Sequence, residues 1–350
     1  CGTKIWPTGR ERDTMKLVAC GGRSRKGAHK LEEWRRSEAA IAVSVDTDCG
    51  ALEVLTDFIS PSEACPDDSP SVLFKAGSIR DGKLYAFTQT ELLTYDLDGM
   101  KQLGYVSLPL FNDVHHVTPD RDGNLLVAVT GLDMVVRVSP TGDLLDEWSV
   151  LPDEQPLWTR FSRDTDYRKI PTTKPHASHP NYVFEWDDQV WATRLIQKDA
   201  ICLTDPSRPL LDIGVERPHD GVVHDGLVYF TTVDGHIVAT DPLSGAREKT
   251  ISLVDIIQPD RPLGWCRGLW PLGDDRFIVG FTRIRTTKYL ENVAWVKDQL
   301  KRRFRKKEDQ NLRPMPTRIC CVDVNRGALL WQTNLEDAGM HAVFSVTPTG

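Results

Sequence analysis

The feature that most constrains this chain is a strand–turn–strand unit that returns roughly every 40 residues with no helical spacing between its copies. Its clearest copies are His116-Val-Thr-Pro-Asp-Arg-Asp-Gly123 and His219-Asp-Gly-Val-Val-His-Asp-Gly226. In both, a histidine stands seven residues before a turn glycine. Two further apolar runs follow each turn: Leu125 to Thr130 and Met134 to Val138, then Val228 to Thr232 and His236 to Thr240. A unit this small cannot bury both faces alone, so copies must stack. A period of strands and turns only is the mark of a β-propeller.

Period-two alternation with Asp-Gly or Thr-Gly turns outlines four-stranded blades opening near Ser71, His115, Tyr182 and His219. A fifth opens with Trp265 to Pro271 and Arg276 to Thr282 and resumes with Arg318 to Val324 and Ala328 to Thr333. Between them, a stretch over 285–315 reads as a basic helical insertion, with its helix from Tyr289 to Lys307, either a solvated excursion or a binding arm. Lys16 to Gly21, Ala40 to Asp46 and Ala51 to Phe58 are three strands without an inner partner, and Met340 to Thr347 supplies one. The expected fold is therefore all-β: a six-bladed β-propeller, one domain over 1–350, closed by joining N- and C-terminal strands in one blade. The long links Gly22 to Ser37 and Pro152 to Pro175 are expected to cover one face of the disc.

A ring of repeats lets 350 residues form one domain, because the core grows around the ring. A net charge of −7 argues against a nucleic-acid partner, and no apolar run is long enough for a membrane span. Eight cysteines without a CxxC spacing favour reduced thiols and a cytoplasmic location. Two lesser readings are that Cys1-Gly2 begins a mature lipoprotein and that Met15 is a natural start with a foreign leader before it.

Aligning the inner strands brings His116 (beside His115), His179 (three after His176), His219, Cys266 and His341 into register. Imidazoles from separate blades meet at a propeller's axis, where three with an open position suit a catalytic metal. His116, His179, His219 and His341 are thus candidate metal ligands, for a divalent transition metal: zinc first, then iron or copper. Each is also a candidate packing histidine, and Cys266 a small buried apolar group. Arg194 and Arg283, aligned on second strands, can hold an anion or simply pair with carboxylates. Arg267 has the same standing. Asp113, Tyr182, Asp220 and Glu216 lie near these histidines as acid–base candidates. No HExxH, GxSxG or dinucleotide fingerprint occurs.

His116 to Gly142 resembles an NHL-type propeller repeat. Among NHL-like propellers, the chain is similar to the peptidylglycine α-hydroxyglycine amidating lyase type, whose channel histidines bind zinc. That resemblance implies His116, His219 and His341 as zinc ligands, with His179 a fourth; His115, His176 and Cys266 have no place in its pattern. A more distant likeness to arylsulfotransferase propellers implies a histidine carrier, with Arg194 and Arg283 on the anion. The expectation is a metal-dependent lyase or hydrolase acting on a small polar or anionic molecule in a histidine-lined channel. Its alternatives are a non-catalytic propeller binding a protein or anionic ligand, and a sulfotransferase-like enzyme.

Overall fold

The computed structural model describes residues 15–151, 157–284 and 314–350. The basic helix expected at 289–307 lies outside these residues. The chain opens with β1 (Lys16–Ser24), β2 (Ser37–Asp46) and β3 (Leu52–Phe58). The next blade is β4 (Ser78–Arg80), β5 (Lys83–Phe87), β6 (Leu92–Asp96) and β7 (Gln102–Val106). Then come β8 (His116–Pro119), β9 (Leu125–Val129), β10 (Met134–Val138) and β11 (Leu144–Ser149). The fourth blade is β12 (Pro180–Trp186), β13 (Gln189–Arg194), β14 (Asp199–Cys202) and β15 (Leu211–Asp212). The fifth is β16 (Pro218–His224), β17 (Leu227–Thr232), β18 (His236–Thr240) and β19 (Arg247–Ser252). The sixth is β20 (Trp265–Gly273), β21 (Arg276–Thr282), β22 (Arg318–Asp323) and β23 (Ala328–Asn334), and β24 (Ala342–Pro348) ends the chain.

These strands form six antiparallel four-stranded sheets, one of which runs β24-β1-β2-β3. The C-terminal strand is therefore the inner strand of the first blade, as the sequence requires, and the ring has no open seam. Closure depends on glycine. At Gly21 the register between β1 and β24 shifts, and a Cβ there would stand 1.8 Å from the Ala342 carbonyl oxygen. Only a residue without a side chain lets the two ends of the chain come that close.

The core is divided into seams between blades. Leu126, Ala128 and Val135 pack on Val183, Val190 and Ala192 across one seam; Leu17, Ile41 and Val43 meet Ile278, Ile319 and Trp331 across the closing one. Every strand inside a blade faces two neighbouring blades, so β9, Leu-Leu-Val-Ala-Val, is buried along its whole length. Outer strands alternate or turn polar, as in Arg-Glu-Lys-Thr-Ile-Ser of β19.

The chief departure from the expected strands is at the second blade. Residues 71–77 are extended chain rather than strand, and β4 keeps only three residues. Here the chain leans on its neighbour instead: Ala76 N–H donates to the His115 carbonyl, and Val117 N–H to the Ala76 carbonyl.

Candidate active site

Five side chains from different blades gather at the axis. Lys75 precedes β4, His115 precedes β8, Asn181 is in β12, His219 in β16 and Arg267 in β20. Each is no more than 9 % exposed. Phe344 of the closing strand β24 completes the ring, with the Lys75 ammonium 5.0 Å and the Arg267 guanidinium 4.4 Å from its ring centre.

The hydrogen bonds fix the state of His115. Asn181 Nδ2 donates to the Pro218 carbonyl at 2.7 Å, so its Oδ1 is the free acceptor. His115 Nδ1 lies 2.7 Å from that oxygen and must carry the proton. The assignment follows from the network of partners. Nε2 then presents a lone pair, 3.1 Å from Lys75 Nζ and 3.2 Å from Asp113 Oδ1. Lys75 also donates to Asp113 Oδ1 at 3.1 Å. Burial and the neighbouring Lys75 ammonium push the His115 imidazole down to about 4, against the pull of Asp113. Burial lowers Lys75 too, with Asp113 opposing. Burial works against the Asp113 carboxylate, yet Lys75 and His115 hold it well below the usual range. At neutral pH the trio is a neutral imidazole between an ammonium and a carboxylate.

On the other side of the axis, Arg267 donates to His219 Nε2 at 3.2 Å, and His219 Nδ1 donates to the Cys266 carbonyl at 3.0 Å. Burial, then the Arg267 charge, holds His219 well below its ordinary value. Behind it, Asp220 takes bonds from Thr231 Oγ1 and Gly268 N–H. Burial nevertheless raises that carboxyl to about 6.

A loop carries two more imidazoles over this ring. His179 stands edge-on to His115 with 4.8 Å between ring centres, and its Nδ1 is 2.7 Å from that of His176. The loop is held by one carboxylate. Asp133 Oδ1 and Oδ2 accept the N–H groups of Ala177, Ser178 and His179 at 2.7–2.9 Å, and Arg160 pairs with the same group at 2.6 Å. His179 has φ 59 and Asp133 φ 52. A left-handed histidine costs about 1–3 kcal/mol and persists only when its surroundings over-determine it; the three amide bonds do so.

The four histidines expected as metal ligands are not brought together. His116, wholly buried, lies in the seam behind the channel. Its ring stacks 3.4 Å from that of Tyr182, its Nδ1 accepts from Val183 N–H, and its Nε2 meets Ser78 Oγ. Burial alone drives it down to about 3. His341 accepts from Ser24 N–H beside the closing strand. Of the four, only His179 and His219 border the channel. Among the described residues no three His, Cys, Asp or Glu side chains are placed to hold one ion. Neighbouring residues on an extended chain face opposite ways, so it is His115, not His116, that reaches the axis.

Of the acid–base candidates, Asp113 joins the central trio, whereas Tyr182 packs on His116 and burial raises its phenol. Arg194 is closed in a bidentate pair with Asp199, two bonds of 2.7 Å, with a third to the Val150 carbonyl. Arg283 pairs likewise with Glu336. Both arginines are ordinary ion pairs of their blades. Cys266 is buried among Leu269, Phe277 and Phe281 as a small apolar group. Lys75 and Asn181 belong to no sequence motif; a lone charge inside Val72-Leu-Phe-Lys-Ala76 is the signal for Lys75.

The channel opens into a narrow cleft of mixed lining, with Trp34, Leu73 and Phe344 beside Lys75, Asp113 and Gln89. Its rim comes from the two long links, tied across it by the Lys174–Glu33 ion pair at 2.9 Å.

No protein-family model and no curated protein sequence matches this chain. Solved structures do. A protein of unknown function from Bacteroides caccae is 12 % identical with a TM-score of 0.60, over 96 % of this chain and 99 % of that one. A putative 6-phosphogluconolactonase from Bacteroides fragilis NCTC 9343 is 10 % identical, TM-score 0.47, over 93 % and 82 %. A catalytically inactive virginiamycin B lyase from Staphylococcus aureus, with quinupristin, is 14 % identical, TM-score 0.45, over 68 % and 69 %. The likeness is one of fold. The chain is a six-bladed β-propeller.

Proposed function

We propose that this propeller is an enzyme, a lyase or hydrolase, that moves a proton on a small polar molecule held at the mouth of its central channel. The observation that carries the reading is the fixed tautomer of His115: Nδ1–H is spent on Asn181, leaving Nε2 as a lone-pair base beside the Lys75 ammonium. An imidazole held near 4 is unprotonated at neutral pH, and preorganised cations stabilise the charge that develops on the substrate. In an elimination, Nε2 takes the proton from carbon, Lys75 and Arg267 stabilise the resulting anion, and the proton passes to the leaving group. In a hydrolysis, the same nitrogen takes it from water.

The likeness to amidating lyases supports the lyase form, and a metal-dependent version rests on that likeness. As placed, the histidines named for it do not fit as a set, so no step here runs through a metal. Metal analysis of the purified protein tests that version separately: metal content unchanged in His179→Ala and His219→Ala would remove it.

The test of the enzyme reading is a panel of small esters, lactones and elimination substrates, assayed with wild type, His115→Gln and His116→Asn. Turnover lost in the first variant and kept in the second is expected. Ligand binding without turnover by wild type would make the protein a binding module instead.

A further inference from the structure

The face of the disc away from the channel cleft carries a cavity of its own. Lys75 and His115 stand ahead of their inner strands, whereas this cavity lies at the far ends of β16 and β20, in the seam between the fifth and sixth blades. Two hairpin turns form its lips. Asp225-Gly226 joins β16 to β17 and Asp274-Asp275 joins β20 to β21, and all four residues have positive φ, between 45 and 77. Such two-residue turns match the twist of the strands they join. The space between them is about 320 Å³, within the range of small-molecule sites.

Its floor is Tyr229, which is 5 % exposed. The ring packs on Phe277 of the next blade, 5.5 Å between centres, and belongs to the apolar core of the seam. No described residue bonds to its hydroxyl. The charges of Lys249, Asp275 and Asp225 bear on that phenol, so they stand around it. A tyrosine buried this far usually spends its hydroxyl on a partner. Here the cavity is where a partner can come from.

The walls offer donors and acceptors together. Lys249 pairs with Asp275 at 2.6 Å, the Asp225 and Asp274 side chains are exposed, and Arg276 adds a second cation. A cation entering would meet Lys249 and Arg276, and an anion would meet three carboxylates; like charges brought together are costly. A neutral molecule meets neither cost. Hydroxyl groups can accept from Lys249 and donate to the carboxylates, and the Tyr229 hydroxyl can do either.

We propose that this cavity binds a neutral sugar, whose hydroxyls bond to Tyr229, Asp225 and Lys249. It is a second site, independent of the channel and of what the channel does.

The experiment is an NMR titration of the full chain with glucose, galactose, mannose and N-acetylglucosamine, with arginine and gluconate as charged controls. At least one of the four sugars should bind, and both controls should bind about tenfold or more weakly than it. Tyr229→Phe keeps the packed ring and loses only the hydroxyl, and should weaken that sugar about threefold to tenfold. Asp225→Asn, at an exposed turn, should weaken it by at least as much and decides the matter if Tyr229→Phe melts early. His115→Gln, on the other face, should bind it as wild type does. Binding of none of the four sugars, equal or tighter binding of arginine or gluconate, or sugar binding untouched by Tyr229→Phe in folded protein would each overturn the proposal. Sugar binding lost in His115→Gln and kept in Tyr229→Phe would place the ligand in the channel and overturn it too.

Discussion

His115 and His116 are adjacent in the chain, both at most 9 % exposed, and both imidazoles are driven far below their ordinary value, to about 4 and about 3. One faces the channel and the other the seam between blades. In the seam, burial does the work against a single opposing backbone bond, and the partners are Val183 N–H, Ser78 and the Tyr182 ring. In the channel, an ammonium and a carboxylate flank the ring, and a fixed amide sets its tautomer. Burial makes an imidazole neutral at either place. Charged company and an opening to a cleft are what set the channel imidazole apart.

The largest expected break between the two regions is catalytic. His115→Gln should reduce turnover by about 10²–10⁴-fold, the usual worth of a general acid–base group, with a melting temperature close to wild type. His116→Ala should do the opposite. Deleting a packed ring from a seam costs about 2–4 kcal/mol of stability, visible as a lower denaturation midpoint, while turnover per folded molecule holds. If His116→Ala abolished turnover in folded protein, the division between channel and seam would fail.

Acid sharpens the same comparison. A histidine near 6.5 when unfolded and near 3–4 when folded binds more protons unfolded across that window. Stability is therefore full above about pH 6.5 and falls as pH drops towards 4. Asp220 works the other way: its folded value of about 6 lies above its ordinary 3.8, so its contribution falls as pH rises through that range. With His115, His116 and His219 all held down, the histidines win and the protein should melt at lower temperature on acidification. His116→Asn should flatten that decline by up to one proton, about 1.4 kcal/mol per pH unit, as read from melting curves between pH 4 and 7. An unchanged slope would mean that His116 is not held neutral by its seam.

The blades were legible because strand alternation and turn chemistry are local. The sixth blade followed from a count: three strands at one end of the chain and one at the other, which pair as β24-β1-β2-β3. The site was legible only by neighbourhood. His179 and His219 do border the axis, but the inner strands are buried on both sides, so polarity does not reveal which face meets the channel. His115 meets the channel and His116 the seam, because a step of one residue along an extended chain reverses a side chain's surroundings. Lys75 lies ahead of β4, in the one blade that supplies no histidine or cysteine to the aligned position, on a segment that is not a regular strand. The loop pair His176–His179 depends on Asp133, far off in sequence, whose three amide bonds leave no local trace.

That dependence gives a further test. Asp133→Ala leaves three N–H groups and Arg160 without their acceptor, at a cost of about 1–3 kcal/mol. Because the loop sits over His115, turnover should fall together with stability, which neither channel nor seam variants should show.

The smallest effect is expected outside both regions. Arg283 and Glu336 form a rim ion pair with the guanidinium side chain 44 % exposed. Such a pair is worth about 0–1 kcal/mol, so Arg283→Met should barely move the melting curve. Arg267, by contrast, is 9 % exposed and packs on Phe344 at the axis. A sulfotransferase-like mechanism that uses Arg283 to hold the anion requires anion affinity to fall in Arg283→Met. A channel that holds it with Lys75 and Arg267 requires that affinity to stay constant there and to fall in Arg267→Met, so the two arginines measured side by side decide where the anion binds.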